Sequence, residues 1–417
     1  MFLREITIEN LRSLKDVDLC FLNKDGTLRK WTLLLGENGT GKSTVLKGIA
    51  LVTAGSEALP EILGSPSSWV RLGANRCVIQ ATIETMQQEE RLLRLEIKKG
   101  DGVSEILRRN HKSLEQLDRA LKHTTRNYLT AGYGVSRRLS SVGGAVIKEE
   151  AFRNPRSRSI ATLFNSDARL NSLESWAMDL DYRKGPAGIN MIKRAMDRLL
   201  PEATFAKIDR RKKQVLFRTA DGLVPLNMLS DGYQNVAAWT GDLLYRITEA
   251  FSNYSNPFQA RGLLLIDEID LHLHPVWQRK LREFLSTSLP NFQIVGTTHS
   301  ALTAQQAGEG ELYVAKRKHA RNSPELLGYE GDPQKLMLHQ LFLSEVFSLP
   351  SLSSPQVVAM KDEFRQLKSK GRRSGPEKKK FKKLKSELED IPDWTRETKA
   401  DKARNELLKR IGKALKV

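Results

Sequence analysis

Eight residues near the start of the chain, Gly36-Glu37-Asn38-Gly39-Thr40-Gly41-Lys42-Ser43, have the types and order needed to hold a phosphate chain. Glycines let the backbone curl until several amide N–H groups face one anion, and a helix beginning at Lys42 would aim its positive end at the same point. Lys42 is then placed for the β- and γ-phosphates and Ser43 for Mg²⁺, with Gly36, Asn38, Gly39, Thr40, Gly41 and Thr44 completing the cradle. The spacing G-x-x-x-x-G-K-[ST] is informative only between a strand and a helix. Trp31-Thr32-Leu33-Leu34-Leu35 supply the strand, and the apolar recurrence through Val45, Leu46, Ile49 and Ala50 supplies the helix. ATP with Mg²⁺ is the ligand this pattern predicts.

Two further groups extend the chemistry. Leu263-Leu264-Leu265-Ile266 is an apolar strand ending in Asp267-Glu268, and carboxylates at such a position call for a cation or a reaction. Asp267 suits Mg²⁺, held through water, and Glu268 suits a general base that activates an attacking water. By itself such a pair reads equally well as a solvated strand end. His299, in Thr297-Thr298-His299-Ser300, follows a second apolar strand, where a histidine is as easily a satisfied polar residue.

The segment Leu229-Ser230-Asp231-Gly232-Tyr233-Gln234 resembles the LSxGxQ signature of ABC-type ATPases. The resemblance implies that Ser230 and Gly232 of one subunit close on the γ-phosphate held by another, in a head-to-tail dimer, with higher oligomers open. His299 then occupies the place of the switch histidine that senses the γ-phosphate, joining Glu268 and Lys42 as catalytic candidates. Asp267-Glu268-Ile269-Asp270-Leu271-His272-Leu273-His274-Pro275 departs from transporter ATPases, which usually carry Pro after the glutamate and Asp where His274 stands. Its ending resembles the overcoming-lysogenization-defect (OLD) group and related bacterial defence ATPases. Ile8-Glu9-Asn10-Leu11-Arg12-Ser13-Leu14 resembles the opening of that group and of RecF/SMC ATPases, which implies a nucleotide contact for Arg12; Tyr133-Gly134-Val135-Ser136-Arg137 resembles a further element of the group, which implies one for Arg137. His272 and His274 lack a third zinc ligand at suitable spacing, and His274 is expected at a dimer interface. A Q-loop glutamine is not identifiable; Gln80 is the best-situated candidate.

These motifs need strands alternating with helices, hence an α/β fold. The resemblance implies a P-loop ABC-type ATPase head: a mixed sheet with helices, an antiparallel β subdomain and a helical lid, followed here by a C-terminal helical module. Residues 1–60 and 225–320 are expected to form the core, 61–224 a lid inserted in it, and 321–417 the C-terminal module. Strands are expected at Arg76 to Glu84 and Leu92 to Lys98, and helices at Ser113 to Lys122, Asn235 to Phe251 and Trp277 to Leu285. The absence of long heptad arms between Thr44 and Leu229 separates the chain from SMC and Rad50 proteins.

The formal net charge is +19, and Lys361 to Lys385 alone holds twelve Lys/Arg against three acids, +9 of the total. Apolar residues at spacings of three and four divide the last sixty residues into three amphipathic helices, the third running through Ala400, Leu407 and Leu415. For the lysine run at 378–383 three readings stand: a solvated helix face, nucleic-acid contact, or docking of an acidic partner. With two separated cysteines and no apolar stretch of membrane-spanning length, a reduced cytoplasmic setting without membrane attachment is expected. A DxD cluster and an HNH setting for His319 and His339 are both missing, so effector chemistry is expected from another chain. The resemblance favours the ATPase subunit of a two-gene anti-phage system of the Septu type, controlling a separately encoded HNH-type nuclease. The alternatives are a RecF-like repair ATPase that binds DNA in an ATP-dependent way, and a toxin-control scaffold that binds nucleotide without meaningful hydrolysis.

Overall fold

The computed structural model describes residues 2–85, 89–122, 128–137, 152–199, 204–220, 222–229, 231–251, 256–317, 319 and 322–389. The first compact unit spans Met1–Phe347 and the second Ser348–Val417.

The first unit opens with a hairpin, β1 (Phe2–Leu11) and β2 (Leu14–Cys20), joined by β4 (Arg76–Glu84) and β5 (Glu90–Lys98) in an antiparallel sheet of order β2-β1-β4-β5, while β3 (Trp31–Gly36) belongs elsewhere. Alternation puts Ile6, Ile8, Val17 and Leu19 inside, and a register shift between Leu3 and Glu5 brings Leu3 inside as well. β5 is an edge strand, yet its free backbone is capped. The N–H groups of Arg94, Glu96 and Lys98 donate to Ser113 Oγ (2.7 Å), Asn110 Oδ1 (2.8 Å) and Asp101 Oδ2 (2.9 Å). Asn110 also returns its amide to the Glu96 carbonyl at 2.9 Å. These capping side chains come from the segment carrying α3 (Val103–Arg109) and α4 (His111–Lys122), so the edge offers no ladder to a passing strand.

A six-stranded sheet forms the centre, with β3 flanked by β11 (Phe292–Thr298) and β12 (Leu312–Lys316); its order is β13-β12-β3-β11-β10-β6. β10 (Gly262–Ile266) and β6 (Leu129–Tyr133) continue one side in parallel, and β13 (Glu325–Gly328) closes the other antiparallel to β12. Burial on both faces explains the unbroken apolar run of β10. Leu263 and Leu265 face a core shared with the antiparallel sheet, α1 (Lys42–Thr53), α2 (Leu59–Leu63) and α5 (Pro155–Phe164). Leu264 and Ile266 face the opposite core, built with α6 (Leu173–Leu199, kinked at Gly185), α7 (Asp231–Ala250) and α8 (Pro275–Ser288). A small antiparallel sheet, β7 (Thr204–Asp209), β8 (Gln214–Thr219) and β9 (Gly222–Pro225), lies against that second core through Phe205, Val215 and Phe217. The short α9 (Ala301–Ala304) and α10 (Leu338–Leu343) complete the unit. Among the described residues no helix is long and apolar enough to cross a membrane.

Two boundaries differ from the sequence reading. β6 sits inside the span assigned to an insertion, residues 61–224, yet it is a strand of the central sheet. The stretch from 321 to 347 belongs with the first unit, because β13 pairs with β12 and Leu341 and Val346 lie in its core. The second unit holds α11 (Pro355–Ser369) and α12 (Gly375–Glu389), which pack together with the Phe364 and Phe381 rings stacked 4.8 Å apart. The third expected C-terminal helix lies outside the described residues.

Candidate nucleotide site

The phosphate loop joins β3 to α1, as its spacing predicts. Gly39 and Gly41 have φ of 76° and 88°, in the left-handed region that favours glycine. A Cβ on Gly41 would lie 2.5 Å from Leu14 Cδ2, and one on Gly36 would lie 2.3 Å from the Ala315 carbonyl oxygen. The loop is thus shaped by β2 and β12 as well as by its own residues. Thr40 ties it internally, its hydroxyl donating to the Glu37 carbonyl at 2.7 Å. Lys42 is buried and donates to the carbonyls of Gly36 and Glu37, both at 2.8 Å. Burial lowers its pKa, while the charges of Asp267, Glu268 and Glu37 oppose that shift. Ser43 and Thr44 are half-buried at the start of α1, whereas Asn38 is exposed.

Asp267 and Glu268 follow β10 directly, beside the end of β11. Asp267 Oδ1 accepts from Thr297 Oγ1 at 2.6 Å, and that same threonine oxygen accepts from the Glu268 N–H at 2.7 Å. Among the described residues Asp267 Oδ2 accepts no hydrogen bond, and neither does the Glu268 carboxylate. A carboxylate oxygen left without a partner on a largely buried aspartate suits a cation, and an unengaged, half-buried carboxylate suits a base. Glu268 has a φ of 47°, a left-handed conformation with a steric cost for a residue carrying Cβ. Arg137 holds that turn: its Nη2 donates to the carbonyls of Asp267 (2.8 Å) and Glu268 (2.7 Å). Burial pushes the guanidinium down to about 10, so it stays charged at neutral pH. Arg137 is thus bonded to the backbone of the acidic pair.

His299 is solvent-accessible just beyond β11, and its pKa is lowered, first by partial desolvation and then by the charge of Lys42. It is held from both sides. Asp270 Oδ2 accepts from Thr298 Oγ1 and Thr303 Oγ1, each at 2.7 Å, and all three are buried. Ser300 caps α9 and donates to Gln278 Oε1 at 2.7 Å. The turn after Glu268 is thereby bonded to the residues on either side of His299.

Arg12, also at positive φ (52°), stacks its guanidinium 3.9 Å over the Trp69 ring. Burial lowers the pKa of Lys47 on α1, and the charge of Arg12 adds to that shift. Gln80 lies on β4, between Thr7 of β1 and Arg94 of β5. Ser230 lies outside the described residues. Gly232 begins α7 beside the His272 carbonyl, 3.4 Å from where its Cβ would be, and Gln234 donates back to the Leu229 carbonyl at 2.7 Å. His274 caps α8, its Nδ1 accepting from the Val276 N–H at 3.4 Å.

α7 is also anchored internally. Asp242, buried on its inner face, accepts from Tyr133 Oη at 3.1 Å and from the side chain of Asn171 at 2.7 Å, with Arg246 alongside. The Tyr133 carbonyl in turn accepts the Asp267 N–H at 2.8 Å. Sequence reasoning missed Thr297, Asp270, Gln278 and Arg317, whose guanidinium donates to the Gly39 carbonyl at 3.0 Å. Asp270 stood beside the acidic pair and Thr297 beside His299, but only the packing of β11 against β10 shows what they hold.

The family described as "AAA domain, putative AbiEii toxin, Type IV TA system" matches residues 136–304, and one described as "AAA domain" matches 5–167. Septu protein PtuA of Bacillus mycoides (strain KBAB4) is 28% identical over 325 residues, 77% of this chain and 41% of the relative. The Retron Ec83 probable ATPase of Escherichia coli is 28% identical over 161 residues, 39% of this chain and 29% of the relative. The chain thus spans about two fifths or less of the length of these relatives. A solved SMC head bound to the C-terminal winged-helix domain of ScpA superimposes with a TM-score of 0.49 at 15% identity, covering 79% of this chain and 98% of that one.

Proposed function

We propose that this chain is an ABC-type ATPase head of the OLD/RecF/SMC-like group that binds and hydrolyses Mg·ATP as the ATPase subunit of an anti-phage defence complex, a reading supported by its similarity to Septu PtuA. In this reading it dimerises head to tail around the nucleotide and controls a separately encoded nuclease. The observation that carries the ATPase part is the convergence of loop, acidic pair and switch histidine: β3, β11 and β10 are adjacent parallel strands, so the loop after β3, His299 after β11 and Asp267-Glu268 after β10 meet at one end of the sheet.

Bound Mg·ATP would supply the electrophilic phosphorus and the charge that draws these groups together. The chain's own residues divide the remaining work. Lys42 gives up two backbone carbonyls for phosphate oxygens, an exchange of polar partners that needs no rebuilding of the loop. Ser43 and Oδ2 of Asp267 would hold the cation. Glu268, whose backbone is held by Arg137 and Thr297, takes the proton of the attacking water at its carboxylate. His299, kept neutral by partial desolvation and by Lys42, senses the γ-phosphate by hydrogen bonding rather than by charge. The Ser230–Gly232 segment of a second subunit completes the site.

Glu268→Gln removes the base and leaves Asp267 in place. Hydrolysis should fall ~10²-fold or more while ATP affinity holds, and light scattering should show an ATP-dependent dimer that persists. Hydrolysis at the normal rate would refute the assignment of Glu268. Co-expression with the adjacent reading frame tests the partner separately: recovery of a nuclease complex supports the defence role, and a lone chain beside recombination genes would replace it with the RecF-like reading.

A further inference from the structure

The helical hairpin α11–α12 has spent its apolar and acidic groups on itself. Phe364 and Phe381 stack on each other, Arg373 lies 4.1 Å over the Phe381 ring, and Leu367 and Leu384 are buried. Its five acids are each engaged by a cation: Asp362 by Arg365 (3.3 Å), Glu363 by Lys380, Glu377 by Lys370 (2.6 Å), Glu387 by Lys383 (3.7 Å) and Glu389 by Lys385 (3.8 Å). What remains is a surplus of one sign. Lys378, Lys379 and Lys382, all exposed, make no ion pair or side-chain hydrogen bond among the described residues. At 100° per residue they fall within about 100° of arc on α12, centred roughly 140° from the midpoint between Phe381 and Leu384.

This composition selects between the classes of anionic partner. A protein docking here would need buried anchors, and interface hot spots are aromatic residues and arginines, with lysine depleted. The aromatic rings of the hairpin are committed to its interior, so the lysine face has no such anchor. A regularly spaced polyanion needs none, because each lysine that meets a phosphate releases a counterion and the association is sequence-independent. Lys378 and Lys382 stand one helical turn apart, about 6 Å along the axis, a separation comparable to that of successive phosphates along an extended strand.

We infer that the Lys378/Lys379/Lys382 face of α12 binds the phosphate backbone of nucleic acid without reading its sequence. This function is separate from ATP hydrolysis and does not rest on the reading of the nucleotide site. Fluorescence anisotropy of the full chain with labelled DNA oligonucleotides, single- and double-stranded, tests it between 50 and 300 mM salt. Replacing Lys378, Lys379 and Lys382 together by Gln should weaken binding ~10-fold or more at low salt and lower the salt slope on duplex by about 2 to 3. Replacing Lys99, Lys212 and Lys213 by Gln changes the net charge equally and should leave both nearly unchanged. ATP turnover should be the same in all three proteins without DNA, which shows that the variants are folded. No DNA binding by the parent chain, equal losses in the two triple variants, or competition by polyglutamate as effective as by unlabelled DNA would each overturn the proposal.

Discussion

Asp270 shows how much depends on one carboxylate oxygen. Its Oδ2 takes the hydroxyls of Thr298 and Thr303, which bracket His299 in sequence, while its backbone belongs to the turn that begins at Glu268. Asp270→Ala would strand both buried hydroxyls and release the histidine segment from that turn. Stability should fall by ~2 to 4 kcal/mol, in line with the cost of unpaired buried polar groups. ATP turnover should fall at least 10-fold with ATP affinity within about threefold of the parent, since Lys42 and the loop are untouched. Stopped-assay kinetics and a binding titration separate the two effects, and a matched loss of affinity would contradict the positioning role. Residues of this kind are hard to see in sequence. Lys42 and Ser43 are legible because the phosphate-binding unit is contiguous, and His299 because motif order marks it. Asp270, Arg137 and Arg317 act on backbone or hydroxyls brought near by strand pairing, and no local pattern records such partners.

At the scale of elements, regular periodicity was readable and context was not. β4 matches its expected span, and β5, α4, α7 and α8 differ only by a few terminal residues. β6 escaped because Leu129-Thr130-Ala131-Gly132-Tyr133 is short and contains a glycine, with no flanking signal that it joins the central sheet. Gly132 has its own reason to be there, since a Cβ would meet Leu163 Cδ1 at 2.3 Å. The hairpin α11–α12 carries a prediction at this scale. Glu377 accepts from Lys370 and from the backbone and hydroxyl of Ser374, and these bonds hold its carboxyl well below the usual range, at about 2. A carboxyl depressed in the folded state stabilises it fully above the unfolded pKa, about 4.3, and loses that contribution as pH falls toward the folded value. The link between the start of α12 and the end of α11 should therefore weaken progressively from about pH 5 to pH 2. A side-chain ¹³C titration of Glu377 should place its midpoint near 2; a midpoint near 4 would show that the lysine and serine do not hold it.

For the whole molecule, the boundary at Phe347/Ser348 makes a sharper statement than the one drawn at 321. A chain ending at Phe347 keeps Leu341, Val346 and the Phe342–Phe347 ring pair in the core, and should melt within a few degrees of the full chain. A chain ending at residue 320 also loses β13. Each large buried side chain removed costs roughly 1.5 to 3 kcal/mol, so its melting temperature should drop by about 10 °C or more, or it should fail to fold. Calorimetry of the two truncations decides the matter, and equal melting temperatures would favour the earlier boundary.

The pairing of Tyr133 with Asp242 carries a mechanical consequence. Tyr133 takes the Asp267 N–H with its carbonyl and reaches α7 with its phenol, so the strand end that carries Asp267 and the helix α7 share one residue. Tilting α7 alone would break polar bonds in a dry interior, which is far costlier than moving the head as a block. A push on the strand end at Asp267 would then reach α7 without loss, through one side chain and one carbonyl.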